Sequence, residues 1–149
     1  MTNKQPNSIA VDIEVRFAET DLMGVVHHAA YLPWFEVGRV AWMKAVGMPY
    51  TAIADTGHHL AVTGLNAAYR SSVTFGDTVR VHTWLTKLRS RQVQFTYEIR
   101  NLANDAIAVT GVSDHICVDL DGQMAKVPAM VMAKLKAGKE RLEENNRAC

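Results

Sequence analysis

The apolar positions of this chain follow two periods, and the change between them divides it into elements. Residues 9–17 alternate, with Ile9, Val11, Ile13, Val15 and Phe17 on one side and Ala10, Asp12, Glu14 and Arg16 on the other. A period of two predicts a strand buried on one face. Residues 31–46 obey a different rule. Only Glu36, Arg39 and Lys44 are charged there, while Tyr31, Leu32, Trp34, Phe35, Val37, Val40, Trp42, Met43 and Val46 surround most of the cylinder. A helix apolar on nearly every side is a buried one. Pro33 belongs near its start, where a missing N–H costs nothing, and Gly47 supplies the stop. Glu36 and Arg39, three residues apart, are expected to pair along its polar stripe. Trp34, Phe35 and Trp42 read first as core.

After a short helical turn expected over residues 50–57, strands dominate. Residues 59–74 form a long extended stretch with Gly64 as a bulge, and Gly76-Asp77 makes a turn. Residues 78–88 and 92–100 then read as an antiparallel pair. The second alternates Val93, Phe95, Tyr97 and Ile99 against Gln92, Gln94, Thr96, Glu98 and Arg100. Residues 106–119 are apolar on both faces. Asp121-Gly122 predicts a tight turn with a short return strand through Val127. Pro128 opens a last helix over residues 128–137, and residues 1–8 and 139–149 read as flexible polar tails. A helix apolar all round needs a partner that covers most of it, and a curved antiparallel sheet does so. The predicted class is α+β, a single domain over residues 1–149 with one long helix wrapped by about five strands.

Composition narrows the function classes. A net charge of +1 lacks the basic excess of a nucleic-acid surface. No apolar run approaches the roughly 20 residues of a membrane span, so no membrane insertion is expected. The polar N-terminus has no signal-peptide core, and Cys117 and Cys149 form neither a Cys-x-x-Cys nor a zinc spacing. A reducing, cytoplasmic location is expected.

Candidate chemistry gathers where the first strand meets the helix. Asp21 and His28 flank a turn containing Gly24, and the unpaired N–H groups of the helix start point back toward them. That end of the helix suits an anion or a developing oxyanion. Each residue also has a plainer role: Asp21 as a turn or cap residue, and His28 bonded to backbone near the helix start. His27 reads as a solvated neighbour. His58-His59 has no third ligand at a metal spacing. Asp114-His115 reads as a satisfied polar pair at a subunit contact. Lys87, Arg89 and Arg91, with Ser90, form the dense basic patch of the chain, either a solvated turn or an anchor for phosphates.

The run Asp-x-x-Gly-Val-Val-x-His-x-x-Tyr-x-x-Trp-Phe-Glu-x-x-Arg, residues 21–39, resembles the 4-hydroxybenzoyl-CoA thioesterase family. Within it the run is most similar to bacterial acyl-CoA thioesterases associated with the Tol-Pal system. A coarser similarity spans Val11 to Pro128, including Tyr69-Arg70 and Phe75-Gly76-Asp77. The resemblance implies the hotdog fold and hydrolysis of an acyl-CoA. Asp21 would be the catalytic carboxylate, as general base or as a nucleophile giving a mixed anhydride. His28 would position substrate or water, and its backbone N–H would polarise the thioester carbonyl. An aromatic or short- to medium-chain acyl group would lie along Met23, Val25, Val26 and Trp34, with Gly24 and Tyr31 beside it. Lys87, Arg89, Ser90 and Arg91 would hold the CoA phosphates. The resemblance further implies a homodimer or a dimer of dimers with sites at subunit interfaces. No metal is expected, and no cofactor beyond the coenzyme A of the substrate. Two positions depart from the pattern: Phe17 replaces a tyrosine of some relatives, and Lys126-Val-Pro128 replaces an arginine-proline pair. Two rivals stand beside this reading. One is a hotdog hydratase or dehydratase, whose Phe-Pro-Gly-type loop is absent; the other is a non-catalytic acyl-CoA or acyl-carrier binding module.

Overall fold

The computed structural model describes residues 5–148. Strand β1 (Ile9–Glu14) leads through the loop to helix α1 (Tyr31–Ala45) and a short helix α2 (Tyr50–Asp55). Four strands follow: β2 (His58–Tyr69), β3 (Thr78–Leu88), β4 (Gln92–Asn101) and β5 (Ala106–Asp119). Helix α3 (Ala129–Arg147) ends the chain. The strands form one antiparallel sheet in the order β1-β3-β4-β5-β2. This is the α+β architecture predicted, five strands around a long helix. Gly64 marks the expected register shift in β2.

The alternating rows of β3, β4 and β5 turn their apolar members toward α1. Phe35 stacks on Tyr97 with ring centroids 4.5 Å apart, and Trp42 meets Phe95 edge-on at 5.4 Å. Phe35, Trp42, Met43, Phe95 and Tyr97 are completely buried. Burial of such large side chains is the main favourable contribution to the fold. One side of α1 stays open, with Val37 and Val40 each 42% exposed.

Several sequence expectations need correction. Strand β1 stops at Glu14, and Phe17 sits in a 3-10 turn (Phe17–Glu19), 77% exposed. The Glu19 carboxylate captures the Arg16 main-chain N–H at 2.9 Å, which winds the chain out of the strand. Pro33, by contrast, stands near the start of α1 as expected, its third residue, inside the turn where an N–H has no partner to lose. Glu36 and Arg39 do not pair. Arg39 instead donates to the Tyr50 hydroxyl at 2.8 Å and the Tyr97 hydroxyl at 3.2 Å, because its side chain turns inward between elements distant in sequence. The return strand after Gly122 reduces to an isolated bridge between Val118 and Met124.

The tails are also more ordered than their polarity suggested. Helix α3 runs ten residues past its predicted end, burying Val131, Leu135 and Gly138 on one face. Asn7 exchanges two hydrogen bonds with the Leu85 main chain and accepts the Trp42 indole N–H on its carbonyl. Asn146 donates to the carbonyls of Gln5, Pro6 and Ser8, joining the two ends of the chain. The flexible-tail expectation for residues 1–4 and the reading of Cys149 lie outside the described residues. Cys117 is a free, buried thiol.

Candidate active site

The loop between β1 and α1 folds back on itself as a narrow hairpin. Thr20 and Val26 form a bridge, the Asp21 N–H donates to the Val25 carbonyl at 3.0 Å, and Gly24 turns the chain with a φ of 78°. A side chain at that dihedral would be strained, which explains the glycine. Asp21 Oδ1 accepts the Met23 N–H at 2.8 Å, an Asx-type turn that fixes the carboxylate at the base of the hairpin. The returning limb is tied to the sheet side by Val26 N–H donating to the Val73 carbonyl at 2.8 Å.

Behind this hairpin, Glu19 is 8% exposed and acts as a collecting point. Its carboxylate accepts from the Arg16 main chain and guanidinium, and from the Trp34 indole at 2.6 Å. Its own carbonyl accepts the His27 N–H at 2.8 Å. Burial opposes ionisation of Glu19, yet these donors hold its carboxyl below the usual carboxylate range. The side chain therefore stays anionic, and it locks the first turn of α1 to both limbs of the hairpin.

A 3-10 turn over His28–Ala30 delivers the chain into α1. Its polar groups are almost fully assigned. The Ala29 N–H donates to His27 Nδ1 at 3.2 Å, and the Ala30 N–H to the His27 carbonyl at 2.9 Å. The His28 carbonyl accepts the Tyr69 hydroxyl at 2.9 Å. Among the described residues the His28 N–H has no acceptor. Asp21 and His28 open onto one groove of about 370 Å³, together with Val25, Val26, Tyr31 and Tyr69. Burial and the neighbouring Tyr69 push the Tyr31 phenol up to about 12, so it stays protonated. A carboxylate and an unused N–H carried by two residues that line one groove suit attack of water on a carbonyl whose oxygen gathers charge.

Not every predicted site residue reaches this groove. Met23 projects from the hairpin tip, 83% exposed, with Gly24 beside it. Trp34 is 3% exposed and spends its indole N–H on Glu19, so in this chain it is a structural support beneath the groove. The basic patch lies elsewhere. Lys87 and Arg89 line a small cavity of about 160 Å³ with Thr63, Gln94 and Asp114. Arg89 and Ser90 also border a second groove, of about 530 Å³, with Lys126 ahead of α3 and Met132 and Lys136 on it. Arg91 is exposed and uses its carbonyl to accept from Cys117 N–H at 3.0 Å. The patch caps the β3–β4 hairpin, whose Val93 pairs through His115 to Val62 of β2. The Asp21 groove abuts Tyr69 instead, about 20 Å further along β2 at the usual rise per residue. Within one chain the two do not meet.

The remaining polar candidates resolve differently. Asp114 and His115 point to opposite faces, as neighbours on a strand must. Asp114 accepts from Gln94 on the outer face, while His115 is 1% exposed and bonds Ser113 through Nε2 at 2.8 Å. His58 bonds locally to Thr56, and among the described residues no three His, Cys, Asp or Glu side chains converge as a metal site. Sequence reasoning missed Glu19, read His27 as a solvated neighbour and gave Tyr69 no role. Glu19 lies ahead of the motif at residues 21–39; the contacts of Glu19 and Tyr69 join residues 15 and 41 positions apart, which no local pattern reports.

A long helix wrapped by a five-stranded antiparallel sheet, with a carboxylate hairpin at the helix entrance, defines the hotdog class of fold. The sequence model of the thioesterase-like superfamily matches residues 15–135. A Bacillus subtilis (strain 168) protein provisionally named acyl-CoA thioesterase YneP is 41% identical over 108 residues, covering 72% of this chain and 78% of that one. The acyl-CoA thioester hydrolase YbgC of Escherichia coli O6:H1 is 25% identical over 125 residues, 83% of this chain and 92% of that one. A DHNA-CoA thioesterase from Staphylococcus aureus superposes with a TM-score of 0.82 at 30% identity, with 95% of each chain covered. The chain belongs to the thioesterase-like superfamily, and the resemblance carried by residues 21–39 is borne out. It is a thioester hydrolase by class.

Proposed function

We propose that this chain hydrolyses the thioester of an aromatic or short- to medium-chain acyl-CoA at the Asp21 groove. The observation that carries the reading is that Asp21 and His28 line one groove, and that the His28 N–H has no acceptor among the described residues. Asp21 takes a proton from water that attacks the carbonyl carbon, or attacks it directly to give a mixed anhydride that water then opens. In either route the carbon–sulfur bond breaks, the carbonyl oxygen leans on the His28 N–H, and CoA departs as the thiol. One such donor is worth about 3 kcal/mol when well placed. No metal or further cofactor enters this scheme, and coenzyme A takes part only as the substrate's leaving group.

The separation of the basic patch supports a homodimer. Strand β2 forms a free edge of the sheet over 12 residues and exposes Val62, Leu65 and Tyr69 at 53%, 44% and 50%. An edge that long and apolar invites pairing with another strand. Antiparallel pairing with β2 of a second copy reverses its direction, so the Val62 end of one copy lies beside Tyr69 of the other. The Lys87–Arg91 turn of the second copy then approaches the Asp21 groove and is available to the phosphates of CoA. A dimer of dimers is compatible with the same edge pairing.

The test is thiol release from a panel of aromatic and aliphatic acyl-CoAs. Release concentrated in one class of acyl chain is expected. Tight binding of acyl-CoA without release from any member would favour the binding-module alternative, and formation of a hydrated acyl product would favour the hydratase.

A further inference from the structure

We propose that His27 and Tyr69 are positioning residues that hold the peptide around His28 so that one N–H alone is presented to the substrate carbonyl. The inference rests on the thioesterase reading above and deepens it. The polar groups of residues 27–30 are nearly all paired. The His27 N–H goes to the Glu19 carbonyl at 2.8 Å, and the Ala30 N–H to the His27 carbonyl at 2.9 Å. The Ala29 N–H, which would otherwise compete with that of His28 for an oxyanion, is occupied by the His27 ring at 3.2 Å. The next peptide oxygen, that of His28, is fixed by the Tyr69 hydroxyl from β2 at 2.9 Å. One donor is left over, and it belongs to His28.

The two side chains act on the same short turn from different directions. His27 is the N-cap of the 3-10 turn, with φ −63° and ψ 139°. That position ordinarily holds Ser, Thr, Asp or Asn, whose oxygen accepts from the residue two or three places on. Here imidazole Nδ1 takes the role, so the ring carries its proton on Nε2. The His27 and His28 rings lie 4.2 Å apart, which ties the cap to the adjacent side chain as well. Tyr69 approaches His28 edge-on at 6.5 Å and packs on Tyr31 at 5.7 Å, so its ring is held by two side chains of the segment whose peptide it bonds. A donor aimed in advance, with its neighbours already satisfied, needs no reorganisation as charge develops.

The consequence is a functional role for a residue that looks like a solvated neighbour. His27→Ala frees the Ala29 N–H and lets the turn relax; His27→Asn restores an acceptor at similar reach. The experiment compares kcat and KM for wild type, His27→Ala, His27→Asn and Tyr69→Phe, with amide exchange at Ala29 followed by NMR and Asp21→Asn as the control for the chemistry. The expected result is a kcat lower by about ten-fold or more in His27→Ala with KM within about two-fold. His27→Asn should recover most of that loss, and Tyr69→Phe should lower kcat in the same sense. Exchange at Ala29 should quicken in His27→Ala and slow again in His27→Asn. Wild-type kcat in His27→Ala, or a His27→Asn variant as impaired as His27→Ala, would overturn the proposal. Those outcomes are separable from failure of the thioesterase reading, which would appear as turnover insensitive to Asp21→Asn, while the Ala29 exchange readout needs no activity.

Discussion

The indole N–H of Trp34 donates to the carboxylate of Glu19 at 2.6 Å, both residues being more than nine-tenths buried. This single contact joins the first turn of α1 to the segment that carries Asp21. Sequence alone allots Trp34 either to core or to the acyl pocket; the structure packs it and ties its polar tip to the segment just ahead of Asp21.

Removing the acceptor should be costly. Glu19→Ala leaves the buried indole N–H and the Arg16 donors without partners, and a stability loss of about 2 kcal/mol is expected. Glu19→Gln keeps an acceptor oxygen and should lose less. Urea denaturation of the two variants checks the order, and kcat should fall with stability in the first and be largely kept in the second.

Helix α3 offers a second check, because its packed second half was not expected. A Cβ at Gly138 would collide with Val46 at the end of α1. Alanine normally favours a helix over glycine by about 1 kcal/mol, so a solvated tail would be stabilised by Gly138→Ala. Overpacking predicts the reverse, a loss of about 1–3 kcal/mol. A higher melting temperature for Gly138→Ala would contradict the packing described.

The elements legible in the sequence are those whose pattern is local. Strand β4 shows its period of two without a fault, and α1 shows its apolar girth, Gly47 stop and early proline. The Asp21–His28 loop was legible because a run of specific residue types falls between those two signals. The second half of helix α3 is not legible in the sequence, because Gly138 and the polar run Lys139–Arg147 look like an ending. The spacing of Val131, Leu135 and Gly138 carried the helix onward, but its last member is a glycine that counts as apolar only when it faces Val46. Sequence proximity pairs Arg39 with Glu36, whereas its partners Tyr50 and Tyr97 arrive from other elements. Contacts of that kind require the fold.

Stability should depend on pH through His115. Burial, and then the Arg39 charge, bring its imidazole down from 6.5 to about 4 in the folded protein. Between those values the unfolded chain binds a proton that the folded one does not, so stability falls as pH falls through the window. A loss of about 2 kcal/mol is expected between pH ~7.5 and pH ~5, before most carboxylates titrate. Urea midpoints at the two pH values measure it, and His115→Gln should flatten the difference.

The β2 edge predicts the behaviour of the assembly. Replacing Val62 and Leu65 together with lysine places charges along the exposed edge, a device that blocks strand pairing. Sedimentation should report a dimer or larger assembly for the wild type and a monomer for the double variant. Turnover should fall with it, since the Lys87–Arg91 turn is then supplied by no second copy. A fully active monomer would remove the shared site.

The proposed hydrolysis requires the Asp21 carboxylate to perform the chemistry while the His28 N–H holds the carbonyl oxygen. The measurement that bears on it most directly is single-turnover hydrolysis by Asp21→Asn of the acyl-CoA that the wild type cleaves best. The amide keeps an oxygen for the Met23 N–H, so the hairpin should fold unchanged. Acyl-CoA binding within a few-fold of wild type is expected, with a rate lower by about a thousand-fold or more. Hydrolysis by Asp21→Asn at a rate near that of the wild type would contradict the proposal.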